Sequence, residues 1–141
     1  VGYGRVGRRI AKALSENGIP FIVAEQNREQ VENLRKEGMA AVCGDAASDP
    51  GTLIQAHIVD AAMLVIATPD TVDVRKMTEI ARTLNPGIEI IVRTHSESEL
   101  DLLQSDGIGR VFFGEEELAK GMSQHVLRRF VPEEAAGAAH H

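Results

Sequence analysis

Short apolar runs alternate along this chain with longer segments in which apolar residues recur every three or four positions. The apolar runs predict buried strands, at residues 19–24, 39–43, 61–68, 88–93 and 110–113. The periodic segments predict helices between them, the longest at residues 6–17, 70–84 and 115–130. Strands and helices that alternate in this way build a parallel sheet with helices on both faces. The pattern therefore predicts an α/β fold, a Rossmann-like doubly wound parallel sheet, in a single domain over residues 1–130.

Three shorter helices are predicted from their capping residues. Asn27 with Gln30, and Ser96 with Glu99, have the spacing of a capping box, in which the first side chain binds a backbone N–H of the first helical turn. Asp49 precedes a proline, a pair that is typical of a helix start. Residues 131–141 follow the last predicted helix with a sequence rich in alanine and glutamate, and we expect this tail to be disordered.

A glycine-rich turn opens the chain, with the sequence Gly2-Tyr3-Gly4-Arg5-Val6-Gly7. Its spacing is that of the turn that seats a dinucleotide pyrophosphate at the start of a helix. Gly2 permits a tight exit from a strand, Gly4 admits phosphate close to the backbone, and Gly7 lets the helix pack closely on the sheet. The phosphate would meet free N–H groups and the positive end of the helix. Because such a turn follows a strand and only Val1 precedes it here, we expect a strand upstream of Val1.

Composition narrows the classes of function. The 141 residues carry a net charge of −6 at pH 7, which disfavours a nucleic-acid partner. No window has the length and hydropathy of a membrane span, so we expect the sequence given to fold as a soluble domain. The histidines are scattered, and no serine elbow, acid pair or Cys/His couple stands out, so we expect neither a metal site nor catalysis. Cys43 is expected to be a small buried hydrophobe.

Polar residues follow the predicted strands, and ligands of open α/β sheets bind outside the carboxyl ends of their strands. Glu25 follows the glycines by about 20 residues, where a carboxylate accepts both ribose hydroxyls, and a solvated, exposed loop acid is the alternative. A carboxylate there repels a ribose phosphate, which favours NAD or a simple adenine nucleotide over NADP. For Asp45, a ligand contact and a cap of the next segment are equally open.

Two arginines are candidates for phosphate contacts. Arg5 lies within the glycine turn, and an exposed arginine in the first helical turn is the alternative. Arg93 ends a predicted strand, and two interpretations are equally open: a contact to a phosphate or a neighbouring subunit, and an ordinary surface ion pair.

Several segments together resemble an RCK N-terminal domain, also called a TrkA-N domain. They are the glycine turn with Val1, the strand that ends in Glu25, residues 35–38 leading to 42–46, and residues 90–93. Two features are most similar to the cytosolic regulatory domain of Kef-type cation/proton antiporters. They are the Gly-Tyr-Gly-Arg-Val-Gly form of the turn and the sequence Gly44-Asp45-Ala46. The resemblance covers residues 1–130.

The resemblance implies a nucleotide-sensing regulatory domain rather than an enzyme. It would bind NAD(H), AMP or ATP and gate a potassium or other cation/proton antiporter on the same polypeptide, at the cytoplasmic face of the inner membrane. By position, the glycine turn would hold phosphate, Glu25 the ribose, and the Asp45-Ala46 pair the adenine. Thr68 and Asp70 would flank the distal part of the ligand. The candidate site is Gly2, Tyr3, Gly4, Arg5, Val6, Gly7, Glu25, Gln26, Asp45, Ala46, Thr68, Asp70 and Arg93.

Two other classes of protein stay open from the sequence. One is the NAD-binding domain of a dehydrogenase whose substrate domain lies elsewhere. The other is a free-standing regulatory subunit of a Trk-type potassium uptake system. The parent reading frame distinguishes them, since repeated apolar spans of about 20 residues upstream would indicate the antiporter.

The last predicted helix carries more apolar surface than a terminal helix needs. Leu118, Met122, Val126 and Phe130 repeat every four residues. A surface helix normally hides such a face. This predicts a homodimer through residues 115–130, which the resemblance also implies, and packing of the helix on its own sheet is the alternative.

Overall fold

Helices and strands alternate along the chain, as its sequence predicts. The computed structural model describes residues 1–68 and 71–131, without the side chains of residues 71 and 72. In that part of the chain the helices are α1 (Arg5–Glu16), α2 (Arg28–Lys36), α3 (Pro50–Gln55), α4 (Thr71–Leu84), α5 (Glu97–Ser105) and α6 (Gly114–Phe130). The strands are β1 (Val23–Glu25), β2 (Ala41–Cys43), β3 (Met63–Ile66), β4 (Glu89–Thr94) and β5 (Arg110–Phe113), and a 3-10 turn, Ile58–Asp60, precedes β3.

All the strand pairs are parallel, which confirms the predicted fold class. The strands form two sheets, one with the order β1-β2 and the other with the order β3-β4-β5. Val1 and Gly2 lie between the two sheets. The Val1 nitrogen donates to the Val65 carbonyl oxygen over 2.7 Å, and the Gly2 N–H donates to the Ala24 carbonyl oxygen over 3.0 Å. The start of the chain thus joins β1 to β3 through backbone hydrogen bonds.

The capping residues predicted from the sequence begin their helices. The Asn27 side chain accepts from the Gln30 N–H, and the Asp49 side chain accepts from the N–H of Gly51. Ser96 caps α5 by accepting from the Glu99 N–H. In a complete capping box the Glu99 side chain would accept from the Ser96 N–H. Here the Ser96 N–H donates to the Thr94 hydroxyl oxygen instead, and the Thr94 hydroxyl donates to the Glu99 carboxylate. The predicted start of the fourth helix at residue 70 lies outside the described residues.

β1 and β2 begin later than the apolar runs predict, and in both runs the first residue belongs to the end of the preceding helix. Each run follows a helix that ends at a glycine with positive φ, Gly18 at 67° and Gly38 at 86°. The N–H of the next residue then closes the helix: Ile19 donates to the Leu14 carbonyl oxygen, and Met39 to that of Leu34. Residues whose N–H groups complete a helix end cannot also join the sheet ladder, so the strands start farther on.

The core lies around the central strands of the larger sheet. Ile66 and Val92 are fully buried there, and α4 packs against them through Val74, Met77 and Ala81. A second, smaller cluster joins β1, β2 and α2 through Val23, Val31, Leu34 and Ala41, and Cys43 packs beside it half-buried.

The last helix, α6, stands apart from both clusters. None of its residues is buried, and Leu118, Met122 and Phe130 expose 63%, 62% and 75% of their surface. The alternative that this stripe packs on its own sheet is therefore wrong. Across the described residues, no helix has the length and apolar character needed to cross a bilayer.

The first helix approaches the sheet too closely for any side chain at Gly7. A Cβ at this position would collide with the Gly2 carbonyl oxygen, a backbone atom that cannot move aside. Gly2 itself has φ of 89°, and a Cβ there would lie 3.1 Å from the Thr68 nitrogen. The structure thus confirms the predicted packing reason for Gly7.

Gly7→Ala is expected to destabilise the fold although alanine is the better helix former. The collision should lower the free energy of unfolding by about 1–3 kcal/mol, the usual cost of overpacking. Gly4→Ala is the matched control, because a Cβ at Gly4 meets no atom within 4 Å. Gly4→Ala should lower the free energy of unfolding by no more than about 1 kcal/mol, the cost of losing glycine from the helix start. Urea unfolding of both variants measures this, and equal stabilities would contradict the packing argument.

Candidate functional site

A cavity of about 370 Å³ opens at the carboxyl ends of β1, β2 and β3, where a parallel α/β sheet binds its ligands. Residues from five segments of the chain form its walls. The lining residues are Val1, Gly2, Ala24, Glu25, Gln26, Asn27, Gly44, Asp45, Ala46, Thr68, Asp73 and Met77. Six of the residues predicted from the sequence are therefore brought together in one place: Gly2, Glu25, Gln26, Asp45, Ala46 and Thr68.

The remaining residues of the glycine turn lead from the cavity into α1. Gly4 is the N-cap of this helix, with φ of −93° and no side-chain cap, and the first helical turn contains no acidic residue. By contrast, α2, α5 and α6 each have glutamate in the first turn. A Cβ on Gly4 would have no atom within 4 Å, so nothing in the described chain requires glycine there. The start of α1 thus presents open space, backbone N–H groups and the positive end of the helix dipole.

Glu25 joins the glycine turn to the end of β1. Its Oε1 accepts from the Tyr3 N–H over 3.1 Å, and its Oε2 accepts from the Asn27 N–H over 2.7 Å. The residue is half-buried. The interpretation of Glu25 as an exposed loop acid is therefore wrong, because the carboxylate holds two backbone segments together. Each carboxylate oxygen keeps a second lone pair that can accept from a ligand hydroxyl.

Asp45 caps the turn that follows β2. Its Oδ2 accepts from the Ser48 hydroxyl over 2.5 Å, and its Oδ1 accepts from the Ala47 N–H over 3.0 Å. The Ser48 bond first, and then the Ala47 bond, lower the pKa of Asp45 below its usual value. The carboxylate is therefore charged at neutral pH and stabilises this turn, and that stabilisation is lost as the pH falls through the lowered pKa. The capping role is observed, and Asp45 also lines the cavity.

Both candidate arginines lie outside the cavity walls. Arg93 is half-buried at the end of β4, and its Nη1 donates to the Ala67 carbonyl oxygen over 3.4 Å, just before Thr68. Arg93 forms no ion pair with another of the described residues. Arg5 is exposed at the first position of α1.

Two other predicted site residues are also absent from the cavity walls. Tyr3 packs half-buried beside the smaller cluster, under the Arg8 guanidinium. Asp70 lies outside the described residues.

Two lining residues of α4 were missed from the sequence as site residues. Asp73 and Met77 are one helical turn apart, so they share a face. Met77 is only 2% exposed and belongs to the core, but it also lines the cavity. The helical period of the sequence shows that Asp73 and Met77 share a face. That this face lies beside the cavity follows only from the packing of α4 on the sheet.

Comparison with known proteins shows which family the chain belongs to. The TrkA-N domain family matches residues 1–114. The putative cation/proton antiporter YbaL of Escherichia coli strain K12 is 37% identical over 122 residues, which cover 86% of this chain and 22% of YbaL. The chain therefore spans about a fifth of that relative. The crystal structure of the TrkA-N domain of the E. coli inner membrane protein YbaL superposes with a TM-score of 0.80 at 36% identity, covering 87% of this chain and 90% of that one.

Two more distant structures share the fold. The C-terminal domain of Kef from Shewanella denitrificans, in its AMP-bound form, has a TM-score of 0.76 at 21% identity, covering 98% of this chain and 83% of that one. The GsuK channel bound to NAD has a TM-score of 0.68 at 22% identity, covering 78% of this chain and 20% of the channel chain. The family match and the YbaL likeness, with the parallel fold and the glycine turn in place, show that this chain belongs to the TrkA-N domain family.

Proposed function

We propose that this domain senses an adenine nucleotide, NAD(H) or AMP/ATP, and that binding regulates a cation/proton antiporter to which the domain is attached. The observation that carries the proposal is the open, uncapped start of α1 beside the cavity. Gly2 and Gly7 are explained by contacts inside the fold, but Gly4 is not. A phosphate group above Gly4 would explain both its missing side chain and the missing cap.

The adenosine part of the ligand is assigned to the walls formed by β1 and β2. Glu25 is fixed by two backbone N–H groups, so its free lone pairs have a set direction for the ribose hydroxyls. The turn at Asp45 and Ala46 lies beside the adenine. Glu25, Asp45 and Asp73 together make the walls acidic, which disfavours a phosphate on the ribose and so favours NAD(H) over NADP(H).

The hydrogen bonds of the site's carboxylates agree with a regulatory domain that does not turn its ligand over. Glu25 and Asp45 use their carboxylates to bind backbone N–H groups of their own chain, which is a structural use of these groups. The AMP-bound Kef domain and the NAD-bound GsuK channel, which share the fold, support an adenine nucleotide as the ligand. The likeness to the putative cation/proton antiporter YbaL supports a membrane transporter as the regulated partner, and the domain would then lie at the cytoplasmic face of the inner membrane.

The regulatory unit is proposed to be a homodimer formed through residues 115–130. An exposed helix of this length gains little stability by itself, since most helical stability in proteins comes from packing of an apolar face. Glutamates 115–117 occupy the first turn of α6, and Arg128 and Arg129 the last. Antiparallel pairing with a second copy would cover the apolar stripe and bring the acidic end of one helix to the basic end of the other.

Gly4→Ala is expected to weaken AMP and NADH binding by at least tenfold, or about 1.4 kcal/mol, because the methyl group enters the space assigned to phosphate. Gly87→Ala is the matched control, since a Cβ at Gly87 also has no atom within 4 Å and lies away from the cavity. Calorimetric titration of the two variants and the parent measures the effect. Parent protein that binds neither ligand would overturn the proposed function, and equal affinities would remove Gly4 from the phosphate site.

Glu25→Ala is expected to lower the affinity for NADH or AMP by at least about tenfold, because the ribose loses a charged acceptor. It should also reduce the preference for NADH over NADPH. Since the carboxylate also holds the Tyr3 and Asn27 N–H groups, the free energy of unfolding should fall by about 1–3 kcal/mol. Titration with NADH and NADPH, below the melting temperature of the variant, tests the first two effects. Unchanged affinity and unchanged discrimination would leave Glu25 with its structural role alone.

Met122→Glu is expected to convert the dimer to monomer, because it places a charge at the centre of the apolar stripe. Gln124→Glu adds the same charge about 200° around the helix and should leave the dimer intact. Sedimentation equilibrium at tens of micromolar distinguishes the two species. Monomeric parent protein, or dissociation by both variants alike, would contradict an interface on this stripe.

A further inference from the structure

The turn after β2 holds the Asp45 carboxylate at both of its oxygens. Oδ1 accepts from the Ala47 N–H over 3.0 Å, and Oδ2 accepts from the Ser48 hydroxyl over 2.5 Å. The backbone of the turn is closed as well, because the Asp45 carbonyl oxygen accepts from the Asp49 N–H over 2.9 Å. Side chain and backbone are thus fixed together, and the plane of the carboxylate has a set orientation.

This fixed carboxylate belongs to the wall of the cavity. Asp45 is half-buried, and its neighbour Ala46 lines the same cavity with only 3% of its surface exposed. Met77 of α4 is another buried apolar residue of the lining. A flat apolar group such as a purine ring can lie against these buried side chains, and Asp45 then supplies a polar contact at the edge of the ring.

The Asp45 side chain can accept hydrogen bonds but cannot donate them. The Ser48 bond first, and then the Ala47 bond, keep the pKa of Asp45 below its usual value, so the carboxylate is charged at neutral pH. An ionised carboxylate has room for about four hydrogen bonds, so those from Ser48 and Ala47 leave acceptor positions for a ligand. Asp45 therefore favours a base with a donor at its edge and disfavours a base with an acceptor there.

We propose that Ser48 is a positioning residue that selects the base of the ligand: it holds Asp45 so that Oδ2 accepts from the 6-amino group of adenine and opposes the 6-oxo group of hypoxanthine. The inference rests on the proposed function, because it takes the ligand to be an adenine nucleotide with its base at the Asp45 turn. Hypoxanthine also has an N1–H donor beside its 6-oxo group. A carboxylate that could turn would reach that donor, so the fixed orientation is what excludes the 6-oxo base.

The Ala47 N–H also determines how an amide would lie at this position. In Asp45→Asn the amide oxygen has to stay at the place of Oδ1, because the Ala47 N–H needs an acceptor. The amide nitrogen then takes the place of Oδ2 beside the Ser48 hydroxyl, which can accept as well as donate. The second hydrogen of that nitrogen is a donor for the ligand, so this variant should prefer the 6-oxo base.

The test is calorimetric titration of AMP and of inosine monophosphate (IMP) into the parent protein and the variants Ser48→Ala, Ser48→Thr, Ser105→Ala and Asp45→Asn. The parent should prefer AMP by at least about tenfold. Ser48→Ala frees the carboxylate and should reduce this preference at least about threefold, whereas Ser48→Thr keeps the hydroxyl and should keep the preference. Ser105→Ala removes an exposed hydroxyl outside the cavity walls and should change neither affinity. Asp45→Asn should reverse the preference.

The ratio of the two affinities separates positioning from support of the fold, because a loosened turn would weaken AMP and IMP alike. An equal loss for both ligands in Ser48→Ala, or an unchanged ratio, would overturn the inference and leave the proposed function standing. Equal affinity of the parent for AMP and IMP would do the same. Parent protein that binds neither AMP nor NADH would overturn the proposed function and this inference with it. Thermal unfolding of each variant sets the titration temperature below its melting point.

Discussion

The backbone of Gly2 is the point at which three parts of the fold meet without room for a side chain. Its N–H binds the end of β1, its carbonyl oxygen lies against Gly7 of α1, and its Cα faces the Thr68 nitrogen after β3. The close approach of α1 fixes where the start of that helix points. Since the helix start carries unsatisfied N–H groups, this packing constraint also determines where a phosphate can be bound.

The site is divided electrostatically along its length. The start of α1 has the positive end of a helix dipole and no acidic residue, whereas the walls farther along carry Glu25, Asp45 and Asp73. A ligand with one anionic end and one end rich in hydrogen-bond donors suits this division, and an adenine nucleotide has that character. Glu25 lies at the boundary, because its carboxylate binds the Tyr3 N–H of the glycine turn. Occupation of the proposed ribose position would therefore act on the same residue that binds the glycine turn.

Two features connect this site with the rest of the molecule. Helix α4 lines the cavity on one edge, and on its other edge Arg82 donates to the carbonyl oxygens of Gly107 and Ile108, immediately before β5. From β5 the chain passes directly into α6. The cavity and the exposed apolar helix are thus joined through α4, the hydrogen bonds of Arg82 and β5, an arrangement that suits the proposed regulatory role.

The sequence by itself determined the fold class, the order of elements and half of the residues that line the cavity. Apolar periodicity and capping depend on neighbouring residues, so the helix starts after Asn27, Asp49 and Ser96 could be found without coordinates. The strand starts could not, because the N–H groups of Ile19 and Met39 are taken by the ends of preceding helices, and an apolar run does not show that competition. The glycine spacing likewise predicted a phosphate turn. It did not show that packing requires glycine at Gly2 and Gly7 but leaves Gly4 unexplained. Only the tertiary structure decided that Glu25 is a half-buried bridge, that Asp73 and Met77 reach the cavity, and that α6 is left uncovered, because each depends on contacts between residues far apart in the chain.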